Sequence, residues 1–209
     1  MPSDRQKGVK RAKEINYQQY TMEQIKEYFK KTFILTDTDW QIFSSKLSKQ
    51  EFPKKTLLLR AGKTENYLSF IEKGIIRFYI PYEESELTFS FAFENGFVSA
   101  YDSFLTRTPS VYNVETLTHT VLWQLSFDDL QTIYNKTDIG NTIGRKASEE
   151  LFIKKSRREL SLLTQTAEQR YLNLFTEQPH LLQLIPLRYI ASYIGITPQA
   201  LSRIRKRIS

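Results

Sequence analysis

The feature that most limits how this chain can fold is a one-way change of hydrophobic period at Ser126. Before it stand seven short β-type runs: TLLLR from Thr56, YLSFI from Tyr67, GIIRFYI from Gly74, ELTFSFAF from Glu86, FVSA from Phe97, SVYNVETL from Ser110 and TVLWQLS from Thr120. Turn material separates them, including Ala-Gly-Lys at 61–63, Glu-Lys-Gly at 72–74 and Asn95-Gly96. Short strands punctuated in this way predict a sandwich or jelly-roll barrel, because strands and helices that alternated would instead build a parallel sheet. After Ser126 the period becomes helical. Ser126-Phe-Asp-Asp129 and Thr166-Ala-Glu-Gln169 both have the form of a capping box. Ile139, Ile143, Ala147 and Leu151 recur every fourth residue and draw an apolar stripe. A further helical stretch is expected at the start, over Tyr20 to Leu47, with Ile25, Phe29, Phe33, Trp40 and Phe43 as its apolar positions. The expected fold class is α+β.

Charge is distributed as unevenly as the periods. Residues 1–139 hold 18 Lys+Arg against 18 Asp+Glu, whereas residues 140–209 hold 12 against 5, so the last third carries the whole net charge of +7. A field placed there suits a polyanion. The chain has no cysteine, which excludes disulfides, thiolate zinc sites and cysteine-ligated clusters. Two histidines 61 residues apart, His119 and His180, do not make a metal site. No apolar run approaches a membrane span, and the polar, basic start does not read as a signal peptide, so a soluble, cytoplasmic protein with no membrane association is expected.

Within the basic third, LRYIASYIGITPQALSRIRK (Leu187 to Lys206) meets the geometric needs of a helix-turn-helix. Ala191 is the small residue where two helices cross, and Gly195 supplies the positive φ of the turn. Ile190, Ile194, Ile196, Leu201 and Ile204 fill the shared core. Thr197 suits the N-cap of the second helix and Pro198 its first position. That leaves Thr197, Gln199, Ser202, Arg203 and Lys206 to face outward, with Arg188 and Tyr189 at the start of the first helix. Arg203 can pair bidentately with guanine and Gln199 with adenine. These seven residues are the candidate contacts to double-stranded DNA.

At these residues the chain resembles the Crp/Fnr family of transcription regulators, over nearly its whole length. FPKKTLLLRAGKTENYLSFIEKGIIRFY is similar to the opening strands of the family's cyclic-nucleotide-binding β-roll. ASEELFIKKSRRELSLLTQTAEQRYLNLF resembles its dimerisation helix and the first helix of its DNA-binding domain. The resemblance implies a basic N-terminus over 1–19, a β-roll domain with flanking helices over 20–137, a dimerisation helix over 138–164 and a helix-turn-helix domain over 165–209. It further implies a homodimer on a two-fold symmetric DNA site, with RNA polymerase and an unidentified small-molecule effector as further partners. The family's β-wing follows the recognition helix, and because the sequence ends at Ser209 no full wing is expected.

Family members that bind cyclic AMP hold it with a Gly-Glu pair and a later arginine pair. Laying GFVSAYDSFLTRTPSVYNVE on that cassette puts Ser99 and Ala100 at the first pair and Ser110 and Val111 at the second. Both the carboxylate and the cation are missing, and Arg107 lies three residues early. Without a cationic partner the cyclic phosphate loses its strongest contact, so no cyclic AMP binding is expected. Ser99, Ala100, Tyr101, Ser110, Val111 and Tyr112 line the candidate ligand pocket; the aromatic residues of this region read first as hydrophobic core, and as the sharper alternative as a pocket for an apolar or planar ligand around Tyr101, Phe104 and Tyr112. A cupin-type enzyme would need clustered histidines that this sequence lacks, so no enzymatic activity and no cofactor are expected. The remaining alternative is an interaction or sensor module whose helix-turn-helix has lost DNA binding.

Overall fold

A computed structural model describes residues 22–30, 34–82, 85–137 and 140–208. The basic stretch 1–19, the start of the first helical segment, Phe33 and Ile139 lie outside the described residues. Two antiparallel four-stranded sheets face each other. The first has the order β1 (Ser48–Phe52), β8 (Thr120–Ser126), β3 (Tyr67–Lys73), β6 (Phe97–Val98). The second runs β2 (Leu57–Leu59), β7 (Asn113–Thr116), β4 (Ile76–Pro81), β5 (Glu86–Ala92). The alternation of each strand sends Ile71, Leu122 and Val98 from one sheet and Leu59, Ile76, Phe78 and Val114 from the other into the space between them. The expected jelly-roll is therefore the fold of this region.

The opposite face of the first sheet carries Phe70, Trp123 and Leu125, and helices cover it. These are α1 (residues 22–30), α2 (Asp37–Ser44) and α4 (Phe127–Lys136). The N-terminal segment is thus two helices rather than one continuous stretch. Thr36 breaks it: its backbone is extended and its side chain accepts the Asp39 amide, an N-cap that restarts the helix. Ser126 caps α4 in the same way by accepting the Asp129 amide. The run expected to begin at Ser110 enters the strand ladder at Asn113; Ser110 instead exchanges backbone hydrogen bonds with Gly62 and Lys63, and its hydroxyl donates to the Tyr112 carbonyl in a local turn. Between β6 and β7 the chain forms a short helix, α3 (Tyr101–Thr106).

The long helix α5 runs from Gly140 to Thr164. Its face bearing Lys155 and Arg158 turns towards the roll and the helices that follow, with Lys155 over the Phe89 ring at 4.9 Å and Arg158 over Tyr193 at 4.0 Å. On the other side Phe152, Leu160 and Leu163 are 72%, 59% and 76% exposed. The stripe expected through Ile143, Ala147 and Leu151 is only half-buried at Ile143 and Leu151 and exposed at Ala147, so the larger apolar surface of α5 lies elsewhere on the helix.

Four helices complete the chain: α6 (Ala167–Glu177), α7 (Pro179–Leu184), α8 (Leu187–Tyr193) and α9 (Pro198–Ile208). Thr166 and Gln169 form a reciprocal capping box at the start of α6. The core of these helices holds Tyr171, Leu174, Leu181, Ile190, Leu201 and Ile204, and it also takes in Ile75 and Phe91 from the roll. The helical end and the second sheet therefore share one core.

Candidate nucleic-acid interface and sensor cavity

Helices α8 and α9 meet around Ala191, which is fully buried between them. The turn is set by Gly195, whose φ is +80°, and by the Ile196 amide donating to the Ala191 carbonyl at 3.0 Å. Arg170 of α6 braces the turn by donating Nε–H to the Ile194 carbonyl at 2.8 Å. Thr197 accepts the Ala200 amide at 3.2 Å, the N-cap bond that starts α9. Leu201 and Ile204 point into the core, which by the helical period leaves Gln199, Ser202, Arg203 and Lys206 exposed on the outer surface together with Thr197. Arg207, beside them, is ion-paired with Glu168 at 2.7 Å.

The two residues of α8 behave differently. Arg188 is exposed and donates to the Tyr189 hydroxyl at 2.7 Å. The Tyr189 ring lies against the guanidinium of Arg77, with 4.1 Å from Cζ to the ring centroid, and the Tyr79 ring lies against the same guanidinium at 3.9 Å. Arg77 is 1% exposed and is ion-paired to Glu86 at 2.7 Å and Glu115 at 2.9 Å. Ser192 adds a second link, accepting the Thr88 amide and donating to the Glu86 carbonyl, both at 2.8 Å. Tyr189 is thus placed at the junction with the roll and not on the outer surface of α9. Sequence reasoning missed Arg77 and Ser192. A charged residue inside the otherwise apolar GIIRFYI run was the one available signal.

The six candidate pocket residues do not converge on one spot. Ser99 donates to the Tyr67 carbonyl at 2.9 Å, and Ala100 is buried at the entry to α3. Tyr101 stacks on Phe104 in the helix-covered core. Ser110 holds its own turn, Val111 is exposed, and Tyr112 sets its edge on Phe89 while its hydroxyl donates to Asp102. Burial and that carboxylate raise the Tyr112 phenol well above its ordinary range. Arg107, the cation within the cassette stretch itself, donates to the Glu65 carbonyl and to Asn66 Oδ1, both at 2.7 Å, and stacks over Phe127. The residues present therefore offer a cyclic phosphate no arginine at the cassette position. Among the described residues no group of three or more histidine or acidic side chains could hold a metal ion, and no helix is long and apolar enough to cross a membrane.

Residues 49–137 match the family described as the cyclic nucleotide-binding domain. No curated protein matches the sequence. Among solved structures, FixK2 from Bradyrhizobium japonicum superposes with a TM-score of 0.66 at 14% identity, over 78% of this chain and 84% of that one. The c-di-GMP-responsive global regulator CLP of Xanthomonas campestris gives 0.65 at 17% identity, over 83% and 91%. A transcriptional regulator of the Crp/Fnr family from Eubacterium rectale gives 0.64 at 16% identity, over 83% of each chain. The chain has the Crp/Fnr regulator fold. Helices α8 and α9, joined through the turn at Gly195, have the arrangement of a helix-turn-helix.

Proposed function

We propose that the chain is a Crp/Fnr-type transcription regulator that binds duplex DNA as a homodimer, with α9 as the recognition helix. The observation that carries this reading is the outer surface of α9. Gln199, Ser202, Arg203 and Lys206 stand exposed above the buried pair Leu201 and Ile204, behind a turn held by Gly195. A helix presented in this way fits the major groove, where Arg203 and Gln199 have the donor patterns that discriminate bases. Thr197 and Arg188 are assigned to the phosphate backbone, and Tyr189 to docking the helix-turn-helix on the roll. Pairing of two chains is assigned to α5 through Phe152, Leu160 and Leu163, whose exposure in a single chain leaves apolar surface for a second copy to cover.

The working division is a roll over 20–137, a pairing helix over 138–164 and a DNA reader over 165–209. The roll is read as a sensor that does not take cyclic AMP, because the ribose carboxylate and phosphate cation of the cassette are replaced by Ser99, Ala100, Ser110 and Val111. A cytoplasmic location, contact with RNA polymerase and a non-enzymatic role follow from this assignment. Gel shifts against a pool of genomic fragments test it. Selective retention with a steep loss of affinity as salt rises supports the regulator. Absence of any retention at about 50 mM salt would leave an interaction module without DNA binding.

A further inference from the structure

A cavity of about 410 Å³ lies between the two sheets of the roll, within the range of small-molecule sites. Its polar lining includes Gln50, Glu65, Ser69, Ser99 and Gln124, and its apolar walls include Leu57 and Leu122. Glu65 is the one charged residue among the described residues of that lining. Its Oε1 accepts the amides of Asn66 at 2.9 Å and Tyr67 at 3.0 Å, whereas Oε2 has only the Ala100 amide at 3.5 Å. Arg107 is close enough to be felt, but its guanidinium is spent on the Glu65 backbone carbonyl and on Asn66. The carboxylate thus keeps unused acceptor capacity on one oxygen in a desolvated setting, and burial pushes its pKa up. A partly buried carboxylate with an open acceptor is stabilised by a cation brought to it.

We propose that the roll's cavity takes a small organic cation, a primary amine with an apolar body, whose ammonium pairs with Glu65. The body then lies along Leu57 and Leu122, and Ser69 and Gln124, themselves 3.4 Å apart, receive a polar group at its far end. The charge preference is the reverse of that needed for a cyclic nucleotide. The inference rests on the reading of the roll as a sensor that does not take cyclic AMP. Glu65 also ties the cavity to α3, because its amide donates to the Ser103 hydroxyl at 3.0 Å.

The test uses the full chain, with calorimetry and thermal melting in three matched phenols: tyramine (cationic), 4-ethylphenol (neutral) and 4-hydroxyphenylacetate (anionic). Phenethylamine, butylamine and cyclic AMP complete the set. The expected order is amine over neutral by about tenfold or more in Kd, with no binding of the anion or of cyclic AMP. Glu65→Gln should reduce the amine to the level of its neutral partner. Gln124→Lys leaves Glu65 and its turn untouched but puts an ammonium into the lining, and it should abolish amine binding while admitting the anion. Amine affinity should also fall as pH drops through the raised Glu65 pKa. Equal binding of the anion, an unchanged amine Kd in both variants, or no binding of any of the three amines at about millimolar concentration would overturn the inference. A rise in melting temperature with cyclic AMP would overturn the underlying reading as well, whereas inert amines with inert cyclic AMP would remove the inference alone.

Discussion

The backbone amide of Thr88 donates to the hydroxyl of Ser192 at 2.8 Å, and the same hydroxyl donates onward to the carbonyl of Glu86. Strand β5 is the edge of its sheet, so these are groups that a further strand would otherwise pair. One side chain of α8 closes the edge and at the same time docks the helix-turn-helix on the roll. Ser192→Ala leaves the buried Thr88 amide without a partner and should cost about 1–3 kcal/mol. Urea unfolding measures the loss, and amide exchange at Thr88 should accelerate. Ser202→Ala, on the exposed side of α9, should stay within about 0.5 kcal/mol of the parent.

Arg203 and Lys206 share a helix surface but have different partners in the proposed complex. Arg203→Ala should cost about 1–3 kcal/mol on the specific site and relax base preference at one position in each half-site. Lys206→Ala should weaken all sequences alike and lower the salt dependence by about one charge per chain. Titrations on matched and scrambled duplexes at several salt concentrations separate the two. Identical profiles would mean that the assignment of the recognition surface is wrong.

Phe152, Leu160 and Leu163 lie within one face of α5, at spacings of eight and three residues. A glutamate at Phe152 and another at Leu163 should convert a dimer to a monomer, because pairing would bury charge without a partner. Sedimentation should show half the parent mass. The melting temperature should also lose its dependence on protein concentration. A parent that already sediments as a monomer at micromolar concentration would refute the pairing helix.

Gly74 has φ +116°, and a Cβ there would run into Thr120 and approach the His119 carbonyl to 2.9 Å. Gly62 also has a positive φ, +85°, but open space where its Cβ would stand. Gly62→Ala should therefore cost about 1–2 kcal/mol from backbone strain alone. Gly74→Ala adds a steric clash with backbone and should cost about 2–4 kcal/mol. Equal losses in chemical denaturation would contradict the packing of the 72–74 hairpin against the turn before β8.

The parts of the fold that were legible in the sequence are those fixed by neighbours along the chain. Thr166 and Gln169, Thr197 and Pro198, and Ser126 and Asp129 lie within three residues of one another, so their caps could be read directly. Gly195 and the spacing of Leu201 and Ile204 gave the helix-turn-helix for the same reason. Strand β1 was not legible: SKQEF has no apolar alternation, and its strand form comes from pairing with Thr120 to Gln124. Helix α3 was hidden because its six residues sit between strands, in a stretch read as a ligand loop. Ser192, Arg77 and Glu65 escaped for a deeper reason. Ser192 meets its partners across more than a hundred residues, and Glu65 meets Ala100 across 35, distances over which a local pattern carries no information.

The core that Ile75 and Phe91 share with Tyr193, Ile194 and Leu181 also bears on modularity. On the proposed function the roll would be a head and the C-terminal helices a reader, two parts that invite recombination at the join. Here the reader's interior is completed by side chains from the head, and Phe91 lies 5.4 Å from the Tyr193 ring. A graft of residues 165–209 onto a foreign roll would open a greasy notch wherever Ile75 and Phe91 had stood. An exchange of DNA specificity between such proteins would have to carry the matching edge of the second sheet with it.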